Sequence, residues 1–265
     1  MWLGTLRKEF RLSKQLKISI ALLLVGGLLT TAAFLMAFFT AEVQTMGLYN
    51  SATAIDTVFP VAPPEWQPTD GTINFERPWF SQKIFYFHVP IAEASFLVFT
   101  VAAIFAVMFL VKKRRSYDTK SRIAMETALM FVIATMATGI LWTRAAWGVW
   151  WEWEPRLTTY LIMTLLIIAY SVLRNSIEDE YRRATYSAVY AILSWVSAPI
   201  SFFIVRIIPS AHPIVFQSGM ATSNLLPFII GQVGMLCIGY AIYSIRLAEE
   251  ASREHLDSLK YALES

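Results

Sequence analysis

The chain has 265 residues, 56% of them hydrophobic and 15% charged, with a mean hydropathy of +0.52 and a formal net charge of +3. That composition rules out an ordinary soluble domain, gives no reason to expect nucleic acid as a partner, and predicts an integral membrane protein whose first partner is the lipid bilayer. A single cysteine excludes a disulfide framework, a multi-thiolate zinc site, a Cys-x-x-Cys redox pair and a Cys-x-x-Cys-His haem-attachment signature.

A hydrocarbon core about 30 Å thick needs roughly 20 apolar residues per helix. Six uncharged stretches of that order predict an all-α polytopic protein, a single membrane domain over residues 1–265. The spans are placed at 18–41, 88–111, 127–143, 157–173, 184–205 and 225–245. Before the first, Leu3, Leu6 and Phe10 recur at helical spacing among basic residues, so residues 1–17 are either a short surface helix or a plain basic anchor. The first apolar run is too long for a signal-peptide core and is expected to persist as an uncleaved span. The third and fourth are short and bounded by arginine, which can snorkel into the headgroups. After Arg206 no charge occurs until Arg246; Pro209, Pro213, Gly219 and Asn224 punctuate the first half of that run, leaving the second half for the sixth helix. Cys237 falls inside that helix and is expected to be buried.

Lysine and arginine then orient the chain. Segments 1–17, 112–126, 174–183 and 246–265 hold 17 basic residues, and the alternate segments hold 5. Both termini are therefore expected in the cytoplasm. The outer side receives a segment from Glu42 to Phe87, rich in Pro60, Pro63, Pro64 and Pro68 and expected to be irregular, a tryptophan-rich segment over 144–156, and a loop from Arg206 to Asn224.

Five of the nine tryptophans, Trp142, Trp147, Trp150, Trp151 and Trp153, lie within twelve residues, where random placement would put roughly 0.4. An interfacial aromatic belt explains one or two indoles at a helix end. It explains Trp147-Gly148-x-Trp150-Trp151-x-Trp153 poorly, because Arg144, Glu152, Glu154 and Arg156 are interleaved with it. A helix through this stretch would set Trp147, Trp150 and Trp151 on one face as an aromatic shelf, with Pro155 in the first turn of the next span. The expectation is a platform for a large, flat, apolar ligand.

Two of the three histidines share that side of the membrane: His88 in Phe-Tyr-Phe-His-Val-Pro and His212 in Pro-Ser-Ala-His-Pro. His255 lies in the charged tail and reads as a solvated residue. Neutral imidazole is a good axial ligand for haem iron, and a porphyrin offers a flat ring with two carboxylates. Arg144, Arg156 and Arg206 flank the same segments, where each could pair with a propionate or simply snorkel. Glu93, five residues after His88, either orients a ligand or partner or reaches the headgroups.

The run from Trp147 to Thr158, Trp-Gly-Val-Trp-Trp-Glu-Trp-Glu-Pro-Arg-Leu-Thr, resembles the tryptophan-rich signature of haem-handling proteins of cytochrome c biogenesis, and Phe87-His-Val-Pro90 resembles their histidine-proline opening of the second span. Over roughly residues 55–245 the chain is similar to the CcmC type, also called haem exporter protein C. The resemblance implies haem b held on the extracytoplasmic face of a bacterial inner membrane, with His88 and His212 as axial ligands and Trp147, Gly148, Trp150, Trp151, Trp153, Glu154, Arg144, Arg156 and Arg206 around them. It implies delivery to a membrane-anchored haem chaperone, together with a small single-span subunit and an ATP-driven transporter, and a transfer factor rather than an enzyme. Two departures stand out. Glu154-Pro155 replaces the aspartate and small residue usual in the family, and the loop holding His212 lacks nearby tryptophans.

A cytochrome c synthase-type lyase component should have further histidines within the membrane, and this chain has no histidine in the middle of a span. A haem permease should show an internal repeat or embedded charges, and the sequence offers no convincing repeat and few mid-span charges.

Overall fold

The computed structural model describes residues 14–39, 79–208, 210, 212 and 222–264. All regular structure among them is helical: α1 (Lys14–Phe39), α2 (Trp79–Lys112), α3 (Arg115–Trp147), α4 (Pro155–Asn175), α5 (Glu180–Trp195), α6 (Ser197–Ile207) and α7 (Thr222–Glu264). Counting α5 and α6 together, six helical units are long and apolar enough to cross a membrane. The apolar side chains outside the core, among them Leu24, Leu28, Leu35, Leu97, Ile133 and Leu193, are exposed on the helix surfaces, as a lipid solvent demands.

Hydropathy locates the bilayer-sized part of each helix, and the helices themselves run further. The stretch 112–126, expected to be a loop, is helical from Arg115. Its charges are held by pairing: Arg174 grips Asp118 through two bonds of 2.7 and 2.8 Å, and Arg246 reaches Glu126 at 2.8 Å. Likewise α7 continues through the charged tail to Glu264, and the outer segment expected to stay irregular through Phe87 is already helical at Trp79. The surface helix considered for residues 1–17 and the proline-rich stretch around Pro60 to Pro68 lie outside the described residues, apart from Lys14 to Lys17, which belong to α1. Cys237 is half-buried rather than buried.

Two helix pairs frame the bundle. The first, α1 on α7, rests on small residues. The buried face of α1 is Ser19, Gly26, Thr30, Ala33 and Ala37, and a β-carbon on Gly26 would stand 2.7 Å from the Gly234 carbonyl oxygen. In lipid no hydrophobic force draws helices together, so close backbone approach of this kind supplies the dispersion contact. The buried Lys83 ammonium of α2 donates to the Ala37 carbonyl near the C-terminus of α1, where both the orphan acceptor and the helix dipole favour a cation.

The second pair is the antiparallel hairpin of α2 and α3, closed by Lys113 and Arg114. Phe99, Ala102, Ala106, Met125, Val132 and Met163 bury its contact with α4, α5 and α6. Pro90 cannot donate to the Tyr86 carbonyl, and that freed oxygen lies 3.2 Å from the place a β-carbon on Gly231 would occupy. The helix is thus loosened beside His88. Pro199 similarly deprives Trp195 of its helical partner, and the chain breaks at Val196 between α5 and α6.

Gly26 and Gly27 give an internal comparison, because a β-carbon on Gly27 meets nothing within 4 Å. Either Gly→Ala change gains up to about 1 kcal/mol of helix propensity. Gly27→Ala is expected to leave thermal stability in detergent unchanged or slightly raised, and Gly26→Ala to lower it by about 1–3 kcal/mol through overpacking. Equal melting temperatures for the two variants would contradict the close α1–α7 contact.

Candidate functional site

A cavity opens among α2, α3, α4 and α6 and the described residues of the following loop. His88 and His212 both line it, with Glu93, Trp142, Trp151, Arg156 and Arg206. Residues far apart in sequence are thereby brought to one space: the N-terminal part of α2, the end of α3, the first turn of α4 and the end of α6.

The tryptophan segment does not form the helical shelf that its spacing would permit. α3 stops at Trp147 because Gly148 takes φ +76°, in the left-handed region that favours glycine, and its N–H caps the Arg144 carbonyl at 3.2 Å. α4 restarts at Pro155, whose fixed φ and missing N–H suit a first helical position, with Glu154 as its N-cap. Between these stops the backbone is irregular, so the indoles diverge. Trp142 and Trp151 face the cavity. Trp147 packs edge-on against Trp142 at 5.0 Å, and the pair meets His212 from one side, at 6.5 and 5.7 Å. Trp150 and Trp153 are 60% and 71% exposed and do not line the cavity. The Trp151 indole nitrogen is buried without a hydrogen-bond partner among the described residues, a donor available to an acceptor on a ligand.

The arginines divide in the same way. Arg156 and Arg206 line the cavity, each guanidinium over the Phe202 ring and directed to the Phe202 carbonyl. Arg144 turns back on its own segment, donating to the Gly148 carbonyl and lying over the Trp150 ring. It is not brought to the cavity with the other two.

Glu154 stands behind His212 rather than in the cavity wall. One carboxylate oxygen accepts the Leu157 N–H and the other accepts the Ser210 hydroxyl. Ser210 Oγ in turn accepts the His212 N–H at 3.1 Å, and His212 Nδ1 is 3.6 Å from Glu154 Oε1, an ion-pair separation rather than a hydrogen bond. His88 has a different setting. Its Nδ1 is 2.9 Å from the Thr138 hydroxyl, and its ring edge lies over Gly139, where a β-carbon would stand 3.1 Å from Cε1. His255 is exposed on α7, far from the cavity in sequence and absent from its lining.

Sequence reasoning did not single out Thr138, Gly139, Tyr160 or Phe202. For the first two a signal existed. His88 lies twenty-five residues before Lys113 and Gly139 twenty-five after Arg114, so an antiparallel hairpin closed there sets them at one level.

Burial alone would raise the Glu154 carboxyl. Its contacts with His212, Ser210 and the Arg156 N–H outweigh burial and hold it below the ordinary 4.5. A carboxylate with a depressed folded pKa stabilises the fold above its unfolded value and loses that contribution as pH falls through the folded one. Wild type should therefore exceed Glu154→Gln by about 1 kcal/mol at pH 7, the gap closing as pH drops below 4.5. Thermal melts of both proteins across that range check it; a gap independent of pH would contradict the carboxylate's role.

Heme exporter protein C of Bradyrhizobium diazoefficiens is 26% identical over 230 residues, covering 85% of this chain and 81% of that protein. The protein of the same name from Paracoccus denitrificans is 25% identical over 183 residues, 67% of this chain and 76% of its own length. A ccmC-like mitochondrial protein of Arabidopsis thaliana, named for cytochrome c biosynthesis, is 31% identical over 121 residues, 46% of this chain and 43% of its own. The family profile described as Heme exporter protein C matches residues 77–262, the whole stretch from the start of α2 through nearly all of α7, and the chain belongs to that family.

Proposed function

We propose that this protein is a haem-holding transfer factor of cytochrome c maturation. The observation that carries the reading is the meeting of His88 and His212, with Arg156 and Arg206, around one cavity on which Trp142 and Trp151 also lie. Two imidazoles are the ligand set for a six-coordinate haem iron. Two guanidiniums match two propionates, and indole faces suit the ring. The cargo is haem b. His88 and His212 bind its iron, and Arg156 and Arg206 hold its carboxylates with the Trp151 N–H as a further donor. Arg144, which lies outside the cavity, serves instead to fix the turn at Gly148.

The protein works as a single membrane domain of the bacterial inner membrane, both termini in the cytoplasm, following the 17 to 5 division of basic residues. Its cavity then opens on the extracytoplasmic side. The indoles of Trp150 and Trp153, exposed beside the cavity, form the surface met by a membrane-anchored haem chaperone, which receives the cargo. A small single-span subunit and ATP-driven transporter subunits complete the assembly. Holding and release, rather than bond chemistry on this chain, define its role.

Purification in detergent with haem supplied tests the reading. A Soret band is expected for wild type and His255→Ala. In His88→Ala and in His212→Ala the haem retained after gel filtration should fall by tenfold or more, as for loss of a metal ligand or its support, with membrane insertion unchanged. Wild-type retention in both single variants would refute the ligand assignment.

A further inference from the structure

We infer that Thr138 and Gly139 on α3 are positioning residues that set the tautomer and seat of the His88 imidazole. The inference deepens the proposed function and rests on His88 as an iron ligand. The argument begins with proton counting. Thr138 Oγ1 is 2.9 Å from the Ala134 carbonyl, 3.1 Å from the Thr135 carbonyl and 2.9 Å from His88 Nδ1. The hydroxyl has one hydrogen and two lone pairs. If it donates to the helix carbonyls, it accepts from His88 Nδ1–H, and two hydrogen bonds form. If it donates to Nδ1 instead, only one forms, and the imidazole proton moves to Nε2.

The first arrangement satisfies more donors in a half-buried place, where each unmet one costs about 1–3 kcal/mol. It leaves Nε2 unprotonated, with its lone pair ready for a metal. Histidine ligands are set this way when a neighbour accepts from the other ring nitrogen. A threonine in an apolar helix usually turns its hydroxyl back on its own carbonyls, and here that habit converts the oxygen into a pure acceptor for the ring.

Gly139 supplies the space. A β-carbon at this position would stand 3.1 Å from His88 Cε1 and 3.8 Å from each ring nitrogen, so alanine would press the ring off its seat. The carboxylate near His212 is Glu154, whereas His88 has a neutral hydroxyl. The two imidazoles are thus oriented by unlike partners on unlike elements.

The test uses full-length protein in detergent and haemin titration. Thr138→Val keeps the shape and removes the acceptor; Thr138→Ser keeps the acceptor. Haem affinity should fall tenfold or more in Thr138→Val, within the range for loss of such a partner, and recover in Thr138→Ser. Gly139→Ala should also weaken binding. A cavity variant, His88→Gly, adds a readout that general damage to the fold would not produce. Free imidazole should restore its six-coordinate spectrum better than 1-methylimidazole, which has no N–H to donate, and the preference should vanish in His88→Gly with Thr138→Val. Wild-type affinity in Thr138→Val together with equal rescue by the two imidazoles, while His88→Ala still loses haem, would overturn the role of Thr138 alone. Undiminished affinity in His88→Ala would overturn the ligand assignment and this inference with it.

Discussion

The Glu154 carboxylate ties the first turn of α4 to the described residues that follow α6. One oxygen closes the first turn of α4 and the other holds Ser210, which in turn fixes the backbone of His212. That tie links the described residues after α6 to the tryptophan segment. With it, the imidazole of His212 rests against the paired rings of Trp142 and Trp147, facing the same cavity as His88. The glutamate side chain reaches all three contacts, and the proline after it begins the helix it caps.

The other half of the site depends on rigidity of a different kind. His88 belongs to a helix embedded in the bundle, and its position follows from the α2–α3 hairpin and from the seat at Gly139. One histidine is thus fixed by helix packing and the other by a hydrogen-bonded loop.

The sequence made the membrane nature of the fold plain, since runs of apolar residues near 20 in length admit few other readings. It was less informative about where helices begin and end. Hydropathy drops at Asp118 and Arg122, yet the helix continues, because Arg174 and Arg246 neutralise the acids beside them. The candidate site was legible in its scarce histidines, His88 and His212, two of the three in the chain. It was misread at the tryptophans. Periodicity suggested a shelf, but Gly148 and Pro155 stop and restart the helix, and punctuation of this sort outweighs side-chain spacing. Thr138 and Gly139 escaped notice because small residues are ordinary in transmembrane helices, and only the pairing of α2 with α3 reveals what lies opposite them.

The central claim is that the two imidazoles bind one iron. Electron paramagnetic resonance of the purified protein loaded with ferric haem addresses it most directly, with ¹⁵N-labelled histidine to identify the nitrogens. The account predicts a low-spin ferric centre with hyperfine coupling to two histidine nitrogens, becoming one when either His88 or His212 is replaced. A high-spin signal in the intact protein, or coupling to two nitrogens that survives both single replacements, would contradict it.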